Sequence, residues 1–343
     1  MKLFNKIASA IAVTALSASV ALAEEPITLR LSNWIPGGHP MSKYLDEWAA
    51  SIEERSDGRI DIETYHSGQL GSMPKHYDMV RKGAVDIGLI LDGATSDRFP
   101  LAMLIDIPFL VDNAVQGNML VNKPELRTYL DAEHRGVKVL FMTTNPPAQI
   151  YTKGHPINTP DDLKGLRMRF PTEAAKLWLE EMGATAVGIP STEMAEALQK
   201  NVIDGLMIDH GSAGIAFKLG GMITDAVELN AYISNFALIM NPDSYEKIPE
   251  DLRVLFDAMP DGFGKDLGSR WDATTKVGKQ MLVDGGANVV TPTGEARKAF
   301  EDAAERVRDK LIAEREEAGL PAAEVYELMQ RLAKEVRTEA NAE

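Results

Sequence analysis

Three extended segments alternate with two helical ones between residues 27 and 91, joined by short connections, and few folds accept that order. Ile27-Thr28-Leu29-Arg30-Leu31-Ser32 alternates apolar and polar residues, and so does the run at 59–65. The run at 85–91, VDIGLIL, is almost continuously apolar, as expected of a strand buried on both faces of a parallel sheet. Between them, Leu45, Trp48, Ala49 and Ile52 fall at helical spacing within 41–56, and a second helix is predicted over 73–82. A β-α-β-α-β order with short loops predicts an open α/β sheet, whose ligands sit beyond the carboxyl ends of its strands. Here those ends are 34–39, 67–70 and 92–95.

The plan repeats further on. Strands are predicted at 149–153, 166–170, 186–188 and 202–208, with helices over 172–182 and from Ser191, read as a helix cap, to about 200. The unit Lys82-Gly83-Ala84-Val85-Asp86-Ile87-Gly88-Leu89-Ile90-Leu91-Asp92 matches Lys200-Asn201-Val202-Ile203-Asp204-Gly205-Leu206-Met207-Ile208-Asp209 with one residue skipped. Helix–turn–buried strand units resemble one another in many proteins. The sharper reading is one such unit per lobe, with Asp92 and Asp209 facing each other across a cleft. The turn at Asn145-Pro146-Pro147 takes the chain to the second lobe, and the strand-like run 231–240 brings it back. The expected division is 24–146 plus about 235–272 for lobe I, and 147–234 plus about 273–343 for lobe II. One helical stretch is expected over 113–134, and others over 212–219, 249–259, 264–284, 295–317 and 322–340.

The first 23 residues read as a secretory signal peptide. Lys2 and Lys6 precede an apolar run at 7–20, and Ala21-Leu22-Ala23 supplies an A-x-A cleavage site. The apolar run is too short to span a bilayer as a helix. Cleavage leaves 320 residues and moves the formal net charge from −15 to −17. That balance argues against nucleic acid and anionic lipid as partners, so an anionic ligand is caught by local groups. The absence of cysteine in an exported chain fits the bacterial periplasm, and it excludes thiol catalysis and cysteine-bound zinc.

Enzymatic signatures are poor. The six histidines have no H-x-x-x-H pair, and no phosphate-binding glycine loop occurs. Gly211-Ser212-Ala213-Gly214 lacks the G-x-S-x-G spacing of a nucleophile elbow. No cofactor or metal is expected. The chemistry concentrates at Leu166-Arg167-Met168-Arg169-Phe170, a strand that runs into a helix start at Pro171-Thr172. A guanidinium at such a junction grips both oxygens of a carboxylate, and the helix N-terminus adds positive potential. Strand alternation puts Arg167 and Arg169 on one face, so one of the two is expected in a surface salt bridge. Trp34 and His39 share a glycine-rich loop at a strand end. Trp34 is a better stacking candidate than Trp178 or Trp271, since aromatics near helices are more often core. Ser191, Gln149, Asn235 and Phe236, with the strand-end Asp92 and Asp209, complete the candidate ligand-binding set.

Several motifs, spread over nearly the whole mature chain and in order, resemble the DctP-like solute-binding proteins of tripartite ATP-independent periplasmic (TRAP) transporters. They are Leu31-Ser32-Asn33-Trp34 with Gly38-His39-Pro40, and Ile105-Asp106-Ile107-Pro108-Phe109-Leu110. The strongest are the run from Ile157-Asn158-Thr159-Pro160 to Leu166-Arg167-Met168-Arg169, and Ala197-Leu198-Gln199-Lys200-Asn201-Val202-Ile203-Asp204-Gly205. The resemblance implies a two-lobed periplasmic binding protein fold, each lobe an open, mostly parallel sheet flanked by helices. It implies that crossing strands and long helices join the lobes and close them on the ligand. It also implies an essential arginine for the ligand carboxylate, here Arg169, and delivery to small and large membrane subunits by an ion gradient without an ATPase. Two departures bear on the ligand. Ile208 stands where many relatives place an asparagine that helps hold the ligand. The second arginine of sialic-acid-type relatives, near Ala148-Gln149 here, is missing. Both point to a small monocarboxylate, its far end meeting Asp92 or Asp209 through a hydroxyl, amine or quaternary group. The expected protein is a monomeric periplasmic capture protein. An exported hydrolase or isomerase using the same cleft, and a sensor presenting its ligand to a receptor, are the alternatives.

Overall fold

A computed structural model describes residues 25–95, 98–257 and 262–341. The leader predicted over 1–23 lies outside them. The described strands are β1 (Ile27–Ser32), β2 (Ile60–Tyr65), β3 (Ile87–Leu91), β4 (Lys138–Thr144), β5 (Gln149–Thr152), β6 (Arg167–Arg169), β7 (Thr185–Val187), β8 (Gly205–Ile208), β9 (Asp225–Val227), β10 (Asn235–Met240) and β11 (Asn288–Val290). They form two sheets, ordered β2-β1-β3-β10-β4 and β11-β9-β5-β8-β6-β7.

Each sheet is parallel except around one strand. In the first, β1 pairs in parallel with β2 and β3, while β10 runs antiparallel to β3 and β4. In the second, β6 pairs in parallel with β7 and β8, while β5 runs antiparallel to β8 and β9. The odd strands are the ones by which the chain changes lobe. The two crossings pair with each other: Ala148 N–H donates to Tyr232 O (2.8 Å), Ala231 N–H to Ala148 O (3.0 Å), and Ser234 N–H to Asn145 Oδ1 (2.7 Å). These backbone groups are therefore satisfied without a third strand.

A third connection is the 22-residue helix Phe263–Asp284. Its first half lies on the helix Ala114–Val121, where Asp272 accepts from the free N–H groups of Ala114 (2.9 Å) and Val115 (3.1 Å). Its second half touches lobe II so closely that a Cβ on Gly278 would stand 2.1 Å from His210 O, and one on Gly214 2.3 Å from Gly278 O. Only glycine permits that approach.

The structure departs from expectation at two places outside the site. The helical stretch 113–134 is two helices, Ala114–Val121 and Pro124–Glu133, because Pro124 has no N–H to continue the first but suits the first turn of the second. The final helix, Ala322–Asn341, packs against the lobe I helices Ala114–Val121 and Pro124–Glu133 as well as against its neighbour Gly294–Glu317. Its Val325, Met329, Leu332 and Val336 join the apolar cluster that contains Leu120, Leu126 and Leu130. Tyr129 donates to Glu324 (2.6 Å), and Arg337 pairs with Asp112 (3.0 Å). The helix Gly294–Glu317 does sit on lobe II, where Trp178 Nε1 donates to Phe300 O (3.2 Å).

Candidate functional site

A cavity of about 60 Å³ lies between the lobes. It opens toward a wider cleft that shares Trp34, Leu91, Arg169, Pro171 and Ser191 with it. His39, Asp209, Ser212, Tyr232 and Trp271 line the inner cavity alone. One water needs roughly 10–15 Å³ of such volume, so the space suits a small molecule.

Arg169 ends β6 and is 6% exposed. Its Nε donates to Ile189 O (3.0 Å) and its Nη1 to Met207 O (3.2 Å). These bonds fix the guanidinium plane and leave Nη2 without an acceptor among the described residues. Burial lowers its pKa to about 10, against a smaller opposing effect of the nearby Tyr232 phenol. Among the described residues no carboxylate forms an ion pair with Arg169. A guanidinium at pKa 10 is still charged at neutral pH, and a buried charge without a counter-charge is costly. Its neighbour Arg167 takes the surface role expected of one of the two arginines, pairing with both oxygens of Asp204 (3.0 and 2.7 Å).

Ser191 lies in a short 3₁₀ turn, Ser191–Glu193, whose capping position is Pro190 with no side-chain cap bond. The predicted cap role is therefore corrected. The preceding proline fixes the turn, and the serine hydroxyl is left at the edge of the cavity.

Lobe I contributes aromatic surface. Trp34 follows β1, in a loop pinned by Asn33: Ile35 N–H donates to Asn33 Oδ1 (2.9 Å), and Asn33 Nδ2 to Ser42 Oγ (2.8 Å). Trp34 and Phe236 form an offset stack (centroids 6.2 Å, 20°), Phe236 leans on Trp271 (5.8 Å), and Trp271 meets His39 edge-on (5.1 Å). The indole N–H groups of Trp34 and Trp271 are both buried with no hydrogen-bond partner.

His39 bridges the lobes. Its Nδ1 accepts from Met41 N–H (3.1 Å), so the proton sits on Nε2, which donates to Ser212 Oγ (3.1 Å). Burial pushes its pKa down to about 3, so the ring is neutral. A general base needs a free lone pair toward the serine; here that nitrogen carries the hydrogen. The Ser212–His39 pair is thus a structural clasp and has the wrong tautomer for a nucleophile. Among the described residues no group of three or more histidines and acids can hold a metal.

Asp209 follows β8, is 2% exposed and lines the cavity. Its Oδ1 accepts from Ser212 N–H (2.8 Å). Burial raises its pKa to about 6 against the opposing effect of Ser212 and of the Trp271 indole. Tyr232 stands between the two ends: burial raises its pKa, Arg169 lowers it and Asp209 raises it.

Three expected ligand contacts lie elsewhere. Asp92 has no exposed surface and is absent from the cavity wall. Its Oδ2 accepts from Asn235 Nδ2 (2.6 Å), and its Oδ1 lies 3.3 Å from His134 Nε2. Asn235 is thereby turned away from the ligand as well, and its backbone N–H donates to Asp106 (3.2 Å). Gln149 is consumed by the crossing. Its Nε2 donates to Pro147 O (3.0 Å) and Asn230 Oδ1 (2.7 Å), while its Oε1 accepts from Leu229 and Asn230 N–H (2.8 and 2.9 Å). Residues absent from the sequence set are Tyr232, Ser212 and Trp271. Trp271 carried the signal of an aromatic in a long helix, which also describes ordinary core, and Ser212 that of a glycine-flanked serine without the spacing of a nucleophile elbow.

Two α/β lobes, crossed by paired strands and closed on a buried cavity with an uncompensated cation, define a ligand-binding protein. The chain belongs to the bacterial extracellular solute-binding protein family 7, whose DctP model matches residues 31–315, and it is a TRAP solute-binding protein. Such proteins are periplasmic, take small organic acids and work with membrane subunits. A TRAP solute-binding protein from Rhodoferax ferrireducens, in complex with copurified benzoate, superposes with a TM-score of 0.85 at 26% identity over 92% of this chain and 99% of its own. One from a marine metagenome, described as specific for aromatic acid ligands and bound to 3-hydroxybenzoate, gives 0.85 and 26% over 91% and 99%. Among sequence relatives, the C4-dicarboxylate-binding periplasmic protein DctP of Rhodobacter capsulatus is 25% identical over 86% of this chain and 90% of its own. Among the described residues no helix is long and apolar enough to cross a membrane.

Proposed function

We propose that this protein captures a small aromatic monocarboxylate in the periplasm and hands it to the membrane subunits of a TRAP transporter. The observation that carries the reading is the buried guanidinium of Arg169, held by two backbone carbonyls and paired with no acid among the described residues. A ligand carboxylate supplies the missing charge, with Nη2 and the Ser191 hydroxyl as donors. Much of the remaining wall, from Trp34, Leu91, Ile208, Phe217, Phe236 and Trp271, is apolar or aromatic and suits a ring. Among the described residues Arg169 is the one cation lining the inner cavity, where a second ligand carboxylate would face Asp209, so a dicarboxylate fits poorly there. The likeness to benzoate- and hydroxybenzoate-bound proteins supports the same class.

Isothermal titration of the mature protein with benzoate, 3-hydroxybenzoate and succinate tests this. The aromatic acids bind one to one and are recovered unchanged, and succinate does not compete. Arg169→Ala weakens the aromatic acids at least about 30-fold, the lower end of the 2–5 kcal/mol cost of breaking a buried charge pair. Equal affinity of wild type and Arg169→Ala, or succinate binding more tightly than both aromatic acids, sinks the reading.

A further inference from the structure

We propose that the closed end of the cavity is a hydroxyl-recognition site, and that the ligand is a hydroxylated aromatic acid with its hydroxyl between Asp209 and Trp271. This rests on the aromatic-acid reading above and extends it to the half of the cavity that reading leaves unused. Arg169 and Ser191 stand at the boundary with the wider cleft, whereas Asp209, Trp271, His39 and Ser212 line the inner cavity only. A carboxylate at the boundary therefore sends the rest of the molecule toward the inner group.

That inner group is chemically incomplete. Asp209 is 2% exposed, and its Oδ1 is occupied by Ser212 N–H, which leaves Oδ2 as an acceptor. Beside it the buried Trp271 Nε1–H has no partner at hydrogen-bond distance among the described residues, although it lies close enough to Asp209 to favour its charged form, so the pair is left slightly apart. Buried polar groups left unpaired are costly, so a ligand that fits supplies both complements. A hydroxyl does so in one atom: its O–H donates to Asp209, and its lone pair accepts from Trp271. An ammonium offers only donors and leaves the indole unpaired. A carboxylate offers only acceptors and repels ionised Asp209. His39 cannot substitute as the acceptor, because its Nδ1 is taken by Met41 and its Nε2 carries the hydrogen given to Ser212.

The test is a titration of the mature protein with benzoate, 3-hydroxybenzoate, 4-hydroxybenzoate and 4-(aminomethyl)benzoate. Wild type is expected to bind one of the hydroxybenzoates at least about tenfold more tightly than benzoate. Asp209→Asn keeps a capping oxygen for Ser212 N–H but presents an amide donor to the cavity. In that variant the ratio of benzoate to hydroxybenzoate Kd falls toward one, and in Trp271→Phe it falls partway. Three results overturn the inference while leaving the aromatic-acid reading intact: benzoate as tight as both hydroxybenzoates, an unchanged ratio in Asp209→Asn, or the aminomethyl compound tightest. No binding of any of the four overturns both.

Discussion

Asp92 and Asp209 follow equivalent buried strands, one in each lobe, yet one belongs to the scaffold and the other to the site. Asp92 is closed in by Asn235 from the returning strand and by His134 from the helix Pro124–Glu133 and its end. Asp209 accepts from the turn that follows it, has the Trp271 indole beside it, and lines the cavity. The two walls of the cleft follow the same division. Lobe II presents charge at its strand ends, with Arg169 on β6 and Asp209 after β8. Lobe I presents Trp34, Leu91 and Phe236, and keeps Asp92, Asp106 and Asn235 behind them. A strand end offers a polar side chain the opportunity to reach a ligand; whether it does depends on which distant groups already satisfy it.

The largest effect that separates the two aspartates is on stability. Asp92→Ala strips His134 and Asn235 of their partner inside the core and is expected to cost about 3–5 kcal/mol of unfolding free energy. Burial alone would lower the His134 pKa, but the charge of Asp92 and its hydrogen bond outweigh it and raise the value above 6.5. A raised histidine stabilises the fold fully below its unfolded pKa, and that contribution disappears as pH rises through the folded value. Denaturant midpoints of Asp92→Ala should therefore fall furthest behind wild type below about pH 6. A variant as stable as wild type there would place Asp92 with Asp209, as an unsatisfied group.

Asp209 shares the pH direction of His134 but through the penalty on its own charged form, so its removal relieves a cost where removal of Asp92 creates one. Its folded pKa of about 6 lies above the ordinary 3.8. Between those values the folded protein holds a proton that the unfolded chain has released. Unliganded stability therefore falls as pH rises through that window, by about 3 kcal/mol for a shift of this size. Asp106, Glu133 and Asp272 are also raised by burial and add to the slope of the wild type. The difference between wild type and Asp209→Asn isolates the one group: the variant gains relative stability from pH 4 to pH 7. Parallel pH profiles would show that Asp209 is already satisfied by the protein.

Arg169 was singled out in the sequence more by the family resemblance than by its strand end beside a helix start, and it lines the cavity. The two-lobe plan was legible because strand and helix periods alternate twice. The fate of the two aspartates was not, because what distinguishes them lies 143 positions away in Asn235 and 42 away in His134. Gln149 was misread for a similar reason. Its four hydrogen bonds go to Pro147 and to the turn at Leu229 and Asn230, about eighty residues on. For the final helix, amphipathy announces a buried face but not which lobe receives it. Tyr232 sits in an apolar run where any aromatic reads as core, and only the pairing of the two crossings turns it into the cleft.

The smallest expected effect lies on the aromatic wall of lobe I. Phe236 sits on β10, next to Asn235, and strand alternation turns the two side chains to opposite faces. Asn235 goes to the buried acids, and Phe236 goes to the cavity between Trp34 and Trp271. Phe236→Leu keeps an apolar residue in the wall but removes one ring from that row. An aromatic pair is worth about 0.5–1.5 kcal/mol beyond the area it buries, so benzoate affinity should fall by about 2- to 10-fold. Because no polar group changes, the benzoate-to-hydroxybenzoate ratio should stay at its wild-type value. That ratio separates the lobes: substitutions in the lobe I wall move both affinities together, whereas Asp209→Asn in lobe II moves them apart. A Phe236→Leu protein that loses the hydroxyl preference would mean that the lobe I wall also positions the hydroxyl, and the division of labour between the lobes would fail.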